Sequence, residues 1–309
     1  MKKYLPEGCL INTPENKKYI STSAGLYEAM ASGVILEARV ETCDSNHNLI
    51  IDLPCMKGFI PKIEGAIGIE NGKTRDIALI SKVNKPVCFK VISINTDENG
   101  TETAVLSRRA VQEECRKNFI DKLNSGDIIP AKVTHLEQFG CFVDIGCGIP
   151  SLIPIDAVSV SRISHPSDRF TNGQDIKVII KDVDNDRVWL SHKELLGTWE
   201  ENARQFKTGE TVSGIVRSVE SYGIFIELAP NLAGLAEIGK TAEVGQQASV
   251  YIKAIIPEKM KIKLIIVDIF SAEYTPSPIK YFVNEEHISQ WNYTPENSGK
   301  KIQSFFPPL

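Results

Sequence analysis

The sequence predicts a mainly β chain built from three tandem five-stranded barrels, because one strand pattern occurs three times. Each copy starts with apolar residues at alternate positions and continues, after a turn, with a second strand that ends in an acidic residue. The alternating residues are Leu36, Ala38 and Val40; Ile129, Ala131 and Val133; and Val212, Gly214 and Val216. Such alternation predicts strands with one buried face. Because no segment within a copy suits the helical crossover of a parallel sheet, we expect small closed barrels of OB type.

The middle copy shows the five strands most clearly. We expect the first strand near residues 128–136, the second near 139–146 and the third around 151–154. The fourth and fifth follow at residues 176–180 and 187–190. Short apolar runs of this length, separated by turn residues, are typical of a barrel rather than of long buried helices.

Two segments between the copies have the apolar spacing of helices. Val111, Cys115, Phe119 and Leu123 recur every fourth residue, and so do Leu195, Trp199 and Ala203, followed by Phe206. Each segment therefore predicts a helix with one apolar stripe, ending shortly before a glycine. We expect both linker helices to pack their stripes against the adjacent barrels.

The two ends of the chain differ from the repeats. Thr13, Pro14 and Glu15 are typical of a helix start, and a second short helix is expected around residues 24–31. The last segment is rich in aromatic residues among prolines, and both docking onto the last barrel and pairing with a partner stay open. The predicted segments are 1–31, a degenerate barrel at 32–109, a helix at 110–124, barrels at 125–191 and 208–270 around a helix at 192–207, and the aromatic segment 271–309.

Composition restricts the function classes. The chain has 35 Lys and Arg against 39 Asp and Glu, a net charge of −4, so nucleic-acid binding would need local basic patches. Its seven cysteines are odd in number and show no Cys-x-x-Cys spacing, which argues against a disulfide framework and a zinc site. Reduced thiols, no apolar run near the ~20 residues of a membrane span and no signal-peptide pattern predict a cytoplasmic protein.

Aromatic residues accompany the second strand in two of the copies. Phe142 shares a strand face with Asp144, opposite the apolar Cys141 and Val143, so we expect Phe142 to be exposed. The equivalent residue of the third copy is Phe225, beside Glu227. A second ring comes three residues earlier, followed by a glycine that permits a kink; these rings are Phe139 and Tyr222. Burial of the rings in the core or under the linker helices is the alternative.

Cationic residues are expected on the same faces, where they would contact phosphates. They are Lys132, Lys177 and Arg187 in the middle copy, and Arg217, Lys253, Lys261 and Lys263 in the third. Solvated surface charge explains each of them equally well when taken singly. Their coincidence with the ring pairs favours a surface that binds single-stranded nucleic acid.

Several motifs of other functions fail on inspection. Residues 182–186 resemble the start of a calcium loop, but Arg187 stands where glycine is required and Lys193 where the bidentate Glu belongs. We interpret this segment as a hairpin turn. The five histidines show no metal-ligand spacing, and no serine or cysteine sits in a nucleophile-elbow pattern. The sequence therefore predicts no catalytic residue, no metal and no cofactor.

These motifs resemble a known family. Residues 139–146 (FGCFVDIG) and 222–228 (YGIFIEL) are similar to a strand of the S1 RNA-binding domain. Residues 106–111 (LSRRAV), 162–168 (RISHPSD) and 190–193 (LSHK) resemble stretches of bacterial ribosomal protein S1. The chain thus looks like a shortened member of that family over about residues 32–270, with OB barrels that bind single-stranded RNA through the aromatic face.

The resemblance also ranks the copies. Asp182 and Arg187 match the family's pair between the fourth and fifth strands, whereas the third copy has Pro257 and Lys261, so the middle copy is the first candidate for RNA binding. The first copy carries Ile50 and His47 at the ring positions. The resemblance implies that this degenerate copy serves attachment, for example to the small ribosomal subunit.

We therefore predict a cytoplasmic, non-catalytic protein that binds single-stranded RNA with low sequence selectivity and is associated with translation, with mRNA as its RNA partner. No membrane and no small-molecule substrate are expected. Two alternatives stay open. The barrels are protein–protein adaptors, which the acidic balance favours, or the chain is the accessory RNA-binding subunit of an RNA-degradation complex.

Overall fold

Two short helices precede the first barrel in the computed structural model, which describes residues 4–184, 187–239, 241–271, 278–296, 298–299 and 301–307. Helix α1 (Pro14–Ile20) begins after Thr13, whose hydroxyl accepts a hydrogen bond from the Asn16 amide at 3.2 Å. Helix α2 (Ser23–Ser32) ends at Gly33, which adopts a left-handed conformation. Both helices lie where the sequence predicts them.

Three closed five-stranded barrels follow along the chain. The first contains β1 (Leu36–Cys43), β2 (Leu49–Asp52), β3 (Lys57–Ile60), β4 (Pro86–Thr96) and β5 (Glu102–Ser107), with the short helix α3 (Ile77–Ile80) before β4. The second contains β6 (Ile128–Glu137), β7 (Gly140–Asp144), β8 (Pro150–Pro154), β9 (Asp175–Asp184) and β10 (Arg187–Ser191). The third contains β11 (Thr211–Glu220), β12 (Gly223–Ala229), β13 (Leu232–Ala236), β14 (Gln247–Ile256) and β15 (Lys261–Phe270). The predicted fold class is confirmed.

The strand order is the same in all three barrels, because the third strand pairs in parallel with the fifth and the other pairs that are described are antiparallel. The alternating apolar residues fill the interiors; Val40, Val133 and Val216 are all fully buried or nearly so. Short 3₁₀ turns connect strands at Lys62–Glu64, Ile155–Ala157, Pro166–Asp168 and Pro257–Lys259.

The two predicted linker helices have different outcomes. Helix α4 (Arg108–Asn118) and a 3₁₀ turn (Ile120–Lys122) bury the whole predicted stripe. The second linker is not one helix. It consists of a 3₁₀ turn (Lys193–Leu196) and the short helix α5 (Trp199–Ala203), because Gly197 adopts a positive φ of 82° and Thr198 caps a new helix start. Its stripe is still buried, since both pieces turn the same side chains inward.

The aromatic segment at the end of the chain docks onto the second and third barrels. Its strands β16 (Gln290–Asn292) and β17 (Gln303–Phe305) form a small antiparallel sheet. Trp291 and Tyr293 pack into the core of the third barrel. Phe306 packs against Ile128, Ile179 and Leu195, which belong to the second barrel and the linker that follows it.

The chain divides into two compact units, and no described helix has the length and apolar character that crossing a membrane requires. The first unit comprises Met1–Leu123 together with Asp144–Pro150, and the second comprises Asn124–Val143 together with Ser151–Leu309. The domain boundaries drawn from the sequence stay a prediction.

Candidate nucleic-acid interface

Each of the second and third barrels displays a pair of rings in nearly identical geometry. The centroids of Phe139 and Phe142 lie 5.9 Å apart with the rings at 89°, and those of Tyr222 and Phe225 lie 6.1 Å apart at 86°. Alternation singles out Phe142 and Phe225 as the exposed rings, but these are half-buried, whereas Phe139 is 56% and Tyr222 66% exposed. The outer rings are therefore the ones more available for stacking.

A histidine enlarges the ring pair of the middle barrel. His135 lies at the end of β6, with its ring 6.5 Å from that of Phe142 and inclined by 27°. Its place beside the ring pair was not predicted from the sequence. The available signal is its outward position near the end of the first strand, but the side-chain conformation that brings it beside Phe142 cannot be derived from alternation alone.

Gly140 and Gly223 serve close approach rather than the predicted kink. A Cβ at Gly140 would lie 2.4 Å from the Ile153 carbonyl oxygen, and one at Gly223 would lie 2.8 Å from that of Ala236. Both contacts are far shorter than real Cβ atoms show, so only glycine permits the second strand to run this close to the third. The irregularity of the first strand pair in the third barrel lies instead on β11, between Val216 and Ser218.

The acidic residues that share a strand face with Phe142 and Phe225 are buried. Their charge therefore does not show that this face is exposed to solvent, as the sequence pattern had suggested. Asp144 is 3% and Glu227 is 5% exposed. Asp144 accepts hydrogen bonds from the backbone amides of Glu7 at 2.7 Å, Gly146 at 2.8 Å and Gly148 at 2.9 Å. Burial, with the nearby charge of Glu7, raises the pKa of the Asp144 carboxyl to about 6. An outward-pointing residue of a barrel is therefore not necessarily a solvated one.

Arg217 does not have the position expected of a phosphate ligand. Its side chain is buried, and its Nε donates to Glu227 Oε2 at 2.9 Å while its Nη1 lies 3.1 Å from Asp168 Oδ2. Arg169 donates to the same Glu227 oxygen. The 3₁₀ turn at Pro166–Asp168 thus brings one acid and one base of the second barrel onto the outer face of the third. The prediction of an exposed Arg217 is wrong, because this network covers it.

Two lysines of the middle barrel have neighbours within the fold. Lys132 Nζ lies 2.5 Å from Asp175 Oδ1. Lys177 Nζ lies 5.6 Å from the centroid of Tyr281, whose hydroxyl accepts a hydrogen bond from the Lys177 amide at 2.9 Å. Both lysines are half-buried. To contact a phosphate, each would have to keep or give up its neighbour, Asp175 or Tyr281.

The remaining predicted residues are solvent-exposed. They are Asp182 and Arg187 in the middle barrel, and Lys253, Lys261 and Lys263 in the third. Within the described ranges, none of these three lysines forms an ion pair. Lys253 lies on β14, and the other two lie two residues apart on β15, so β15 presents both on one face.

The barrels share a surface feature that we call the outer row: the residues of the second, third and fifth strands that lie opposite one another on the outside. In the third barrel it consists of Phe225, Leu235 and Lys263, and in the first of Ile50, Phe59 and Val105. In the middle barrel Leu152 lies opposite Trp189, which lies opposite Asp182. The first barrel has no ring pair, because Ile50 stands where the other two have Phe142 and Phe225. Its His47 Nδ1 lies 3.0 Å from Asp76 Oδ2.

No cluster of His, Cys, Asp or Glu suited to a metal ion occurs among the residues that the structure describes. The hairpin turn predicted within residues 182–186 falls partly outside the described residues. The strands on either side of it pair as a hairpin requires, with Asp184 opposite Arg187.

Comparisons with known proteins agree with this architecture. Residues 122–193 match the S1 RNA binding domain family. The chain is 32% identical over 284 residues to the small ribosomal subunit protein bS1 of Staphylococcus aureus (strain COL), covering 84% of this chain and 70% of that protein. It is 30% identical over 263 residues to the bS1 homolog of Bacillus cereus (strain ATCC 10987 / NRS 248), covering 79% and 66%.

A solved multidomain protein with nucleic acid binding domains from Streptococcus pneumoniae is 14% identical, with a TM-score of 0.25 and coverage of 76% of this chain and 73% of that one. The Staphylococcus aureus relative is decisive, because it is 32% identical over 84% of this chain and 70% of its own length. The chain belongs to the family of the small ribosomal subunit protein bS1.

Proposed function

We propose that this chain binds single-stranded RNA through the outer faces of its second and third barrels, with little selectivity for base sequence. The observation that carries the proposal is the repeated ring pair, Phe139 with Phe142 and Tyr222 with Phe225, held in one geometry by two barrels. Aromatic rings stack on any base, because every base has a π-face. Low selectivity follows directly from that mechanism.

Local cations complete the proposed surface. With a net charge of −4, the chain as a whole does not attract phosphates. Exposed Arg187 in the middle barrel, and Lys253, Lys261 and Lys263 in the third, are therefore the proposed phosphate contacts. Each barrel should bind weakly alone, and two barrels in one chain should gain affinity by acting on the same strand.

Membership of the bS1 family supports a role in translation. We propose mRNA as the RNA and the small ribosomal subunit as a partner, with the first barrel as the attachment module because its outer row carries no ring pair. The proposed setting is the cytoplasm, and the proposed activity is binding without catalysis. A protein–protein adaptor is the second candidate, favoured by the acidic balance and by the burial of Arg217.

The test is a titration of labelled single-stranded RNA, at two salt concentrations, against the wild type and a variant in which Phe139, Phe142, Tyr222 and Phe225 are alanine. Loss of stacking should cost about 1–3 kcal/mol of binding free energy per base. The matched control is Phe305→Ala, which removes a ring that is 60% exposed but lies on β17, outside the barrels.

Circular dichroism melting must show that the quadruple variant still folds. RNA binding that is unchanged in that variant, or absent from the wild type at low salt, would contradict the proposal and favour the adaptor. Co-sedimentation with small ribosomal subunits separates the two roles, since the quadruple variant should still attach through its first barrel.

A further inference from the structure

Trp189 is the exposed tryptophan of this chain. The sequence has three tryptophans, of which Trp199 and Trp291 are buried, whereas Trp189 on β10 is 42% exposed. A single exposed apolar residue is ordinary on a protein surface. Trp189 differs from such residues in its position. It lies on the outer row of the middle barrel, which also carries a ring pair and matches the S1 family.

The contacts of Gly140 show the register between the second and third strands, and this register relates Trp189 to the ring pair. A Cβ at Gly140 would lie 3.0 Å from Leu152 Cδ1, and the corresponding distance from Gly223 to Leu235 Cδ1 in the third barrel is 2.7 Å. The two barrels therefore have the same register between the second and third strands. In the third barrel that register sets Phe225 opposite Leu235, so its counterpart Phe142 lies beside Leu152.

The outer row of the middle barrel is consequently one apolar strip from Phe142 across Leu152 to Trp189. Leu152 is half-buried and lies opposite Trp189 in the parallel pair of β8 and β10. Arg187 lies two residues before Trp189 on the same strand, and it is exposed. A cation thus flanks the indole on the face where phosphates would pass.

Strand order keeps Trp189 apart from Phe142, because their strands are not neighbours. Neighbouring strands lie about 4.8 Å apart, so β7 and β10, with β8 between them, are separated by about 10 Å. Stacked rings have centroids about 4.5–7 Å apart. Phe142 and Trp189 are therefore too far apart to stack on each other, which leaves the indole available to a further base of the same strand.

We propose that Trp189 is a third base-stacking position of the middle barrel, which extends the bound RNA beyond the ring pair. This inference rests on the proposed function. The same outer-row position is Lys263 in the third barrel and Val105 in the first. The middle barrel therefore holds this nucleotide by its base, whereas the third barrel holds the strand there by its charge.

The intrinsic fluorescence of the full chain tests this directly, because the other two tryptophans are buried. Single-stranded RNA should quench the emission of the wild type, and it should leave the emission of Trp189→Phe nearly unchanged. Titration of labelled RNA should show binding weakened roughly 5- to 100-fold in Trp189→Ala, and largely restored in Trp189→Phe.

The outcomes separate this inference from the proposed function. If RNA binds the wild type through the ring pairs while the Trp189 emission and the Trp189→Ala affinity stay unchanged, the stacking position is refuted and the proposed function stands. If the wild type binds no RNA, both fail. Should Trp189→Ala fail to fold, Trp189→Val replaces it, since the first barrel carries valine at this position and valine offers neither a ring nor a charge.

Discussion

The second and third barrels share strand order, register and ring pair, yet their outer faces have different surroundings. The third barrel has Arg217 where the middle barrel has Thr134, and Lys263 where it has Trp189. Thr134 is exposed, whereas Arg217 is buried under Asp168 and Arg169. Alternation along a strand decides which residues point outward. Neighbouring segments decide which of them reach solvent.

The acid that ends the second strand shows the same contrast. Asp52 in the first barrel is exposed and paired with Lys57 at 2.9 Å. Asp144 is buried and held by backbone amides, and Glu227 is buried and held by two arginines. One position of the strand pattern thus has three environments, so the pattern alone does not assign it a role.

Loss of the buried ion-pair network in the third barrel should reduce stability more than any other change considered. Glu227→Gln removes the negative charge that balances Arg169 and Arg217, and breaking a buried ion pair costs about 3–5 kcal/mol of unfolding free energy. Urea denaturation measures the change. Asp52→Asn is the matched control, because the same strand position is exposed there and should change stability by less than about 1 kcal/mol. Equal effects of the two substitutions would show that burial does not distinguish these barrels.

The next prediction is that the stability of the protein depends on pH through the buried His192. His192 is buried against the rings of Phe170 and Tyr281, and burial lowers its pKa from 6.5 to about 4. Between these values the unfolded state binds the proton and the folded state does not, so stability falls as the pH falls from 6.5 to 4. At 1.36 kcal/mol per pKa unit, the loss from this group is about 3 kcal/mol.

Denaturation at a series of pH values checks this expectation. The third barrel has Ile266 at the equivalent position, which does not titrate. His192→Gln should therefore flatten the pH dependence between 6.5 and 4 relative to the wild type. The difference between the two proteins isolates His192 from carboxyls such as Asp144, whose raised pKa acts in the opposite direction. Parallel curves for both proteins would refute the assignment.

A smaller change, in the salt dependence of RNA affinity, distinguishes the roles of Trp189 and Lys263. If Lys263 contacts a phosphate, Lys263→Ala should reduce the dependence of log affinity on log salt by about one unit. Trp189→Ala should weaken binding without changing that slope, since stacking releases no counterions. The measurement is RNA affinity across a salt series. An unchanged slope in Lys263→Ala would remove this lysine from the interface.

Much of the architecture was predictable from short-range pattern. The alternation of apolar and polar residues located the strands. The burial of Val133 and Cys141 confirms which face of each strand points inward. The break in the second linker was not predicted, because Leu195, Trp199 and Ala203 have helical spacing even though Gly197 interrupts the backbone between them. Apolar spacing reports which side chains are buried, and one positive φ is enough to divide the helix without changing that burial.

The three barrels, the ring pairs and the family were predictable from the amino-acid pattern, because they depend on residue type and on spacing within a strand. Which outward residues are available to a ligand depends on the packing of distant segments. This packing buried Arg217 and Glu227 together, since segments distant in sequence supply Asp168 and Arg169. It also placed Trp189 beside Leu152 through the parallel pairing of β8 and β10. Contacts between residues far apart in the chain leave no periodic signal, so only the folded structure contains them.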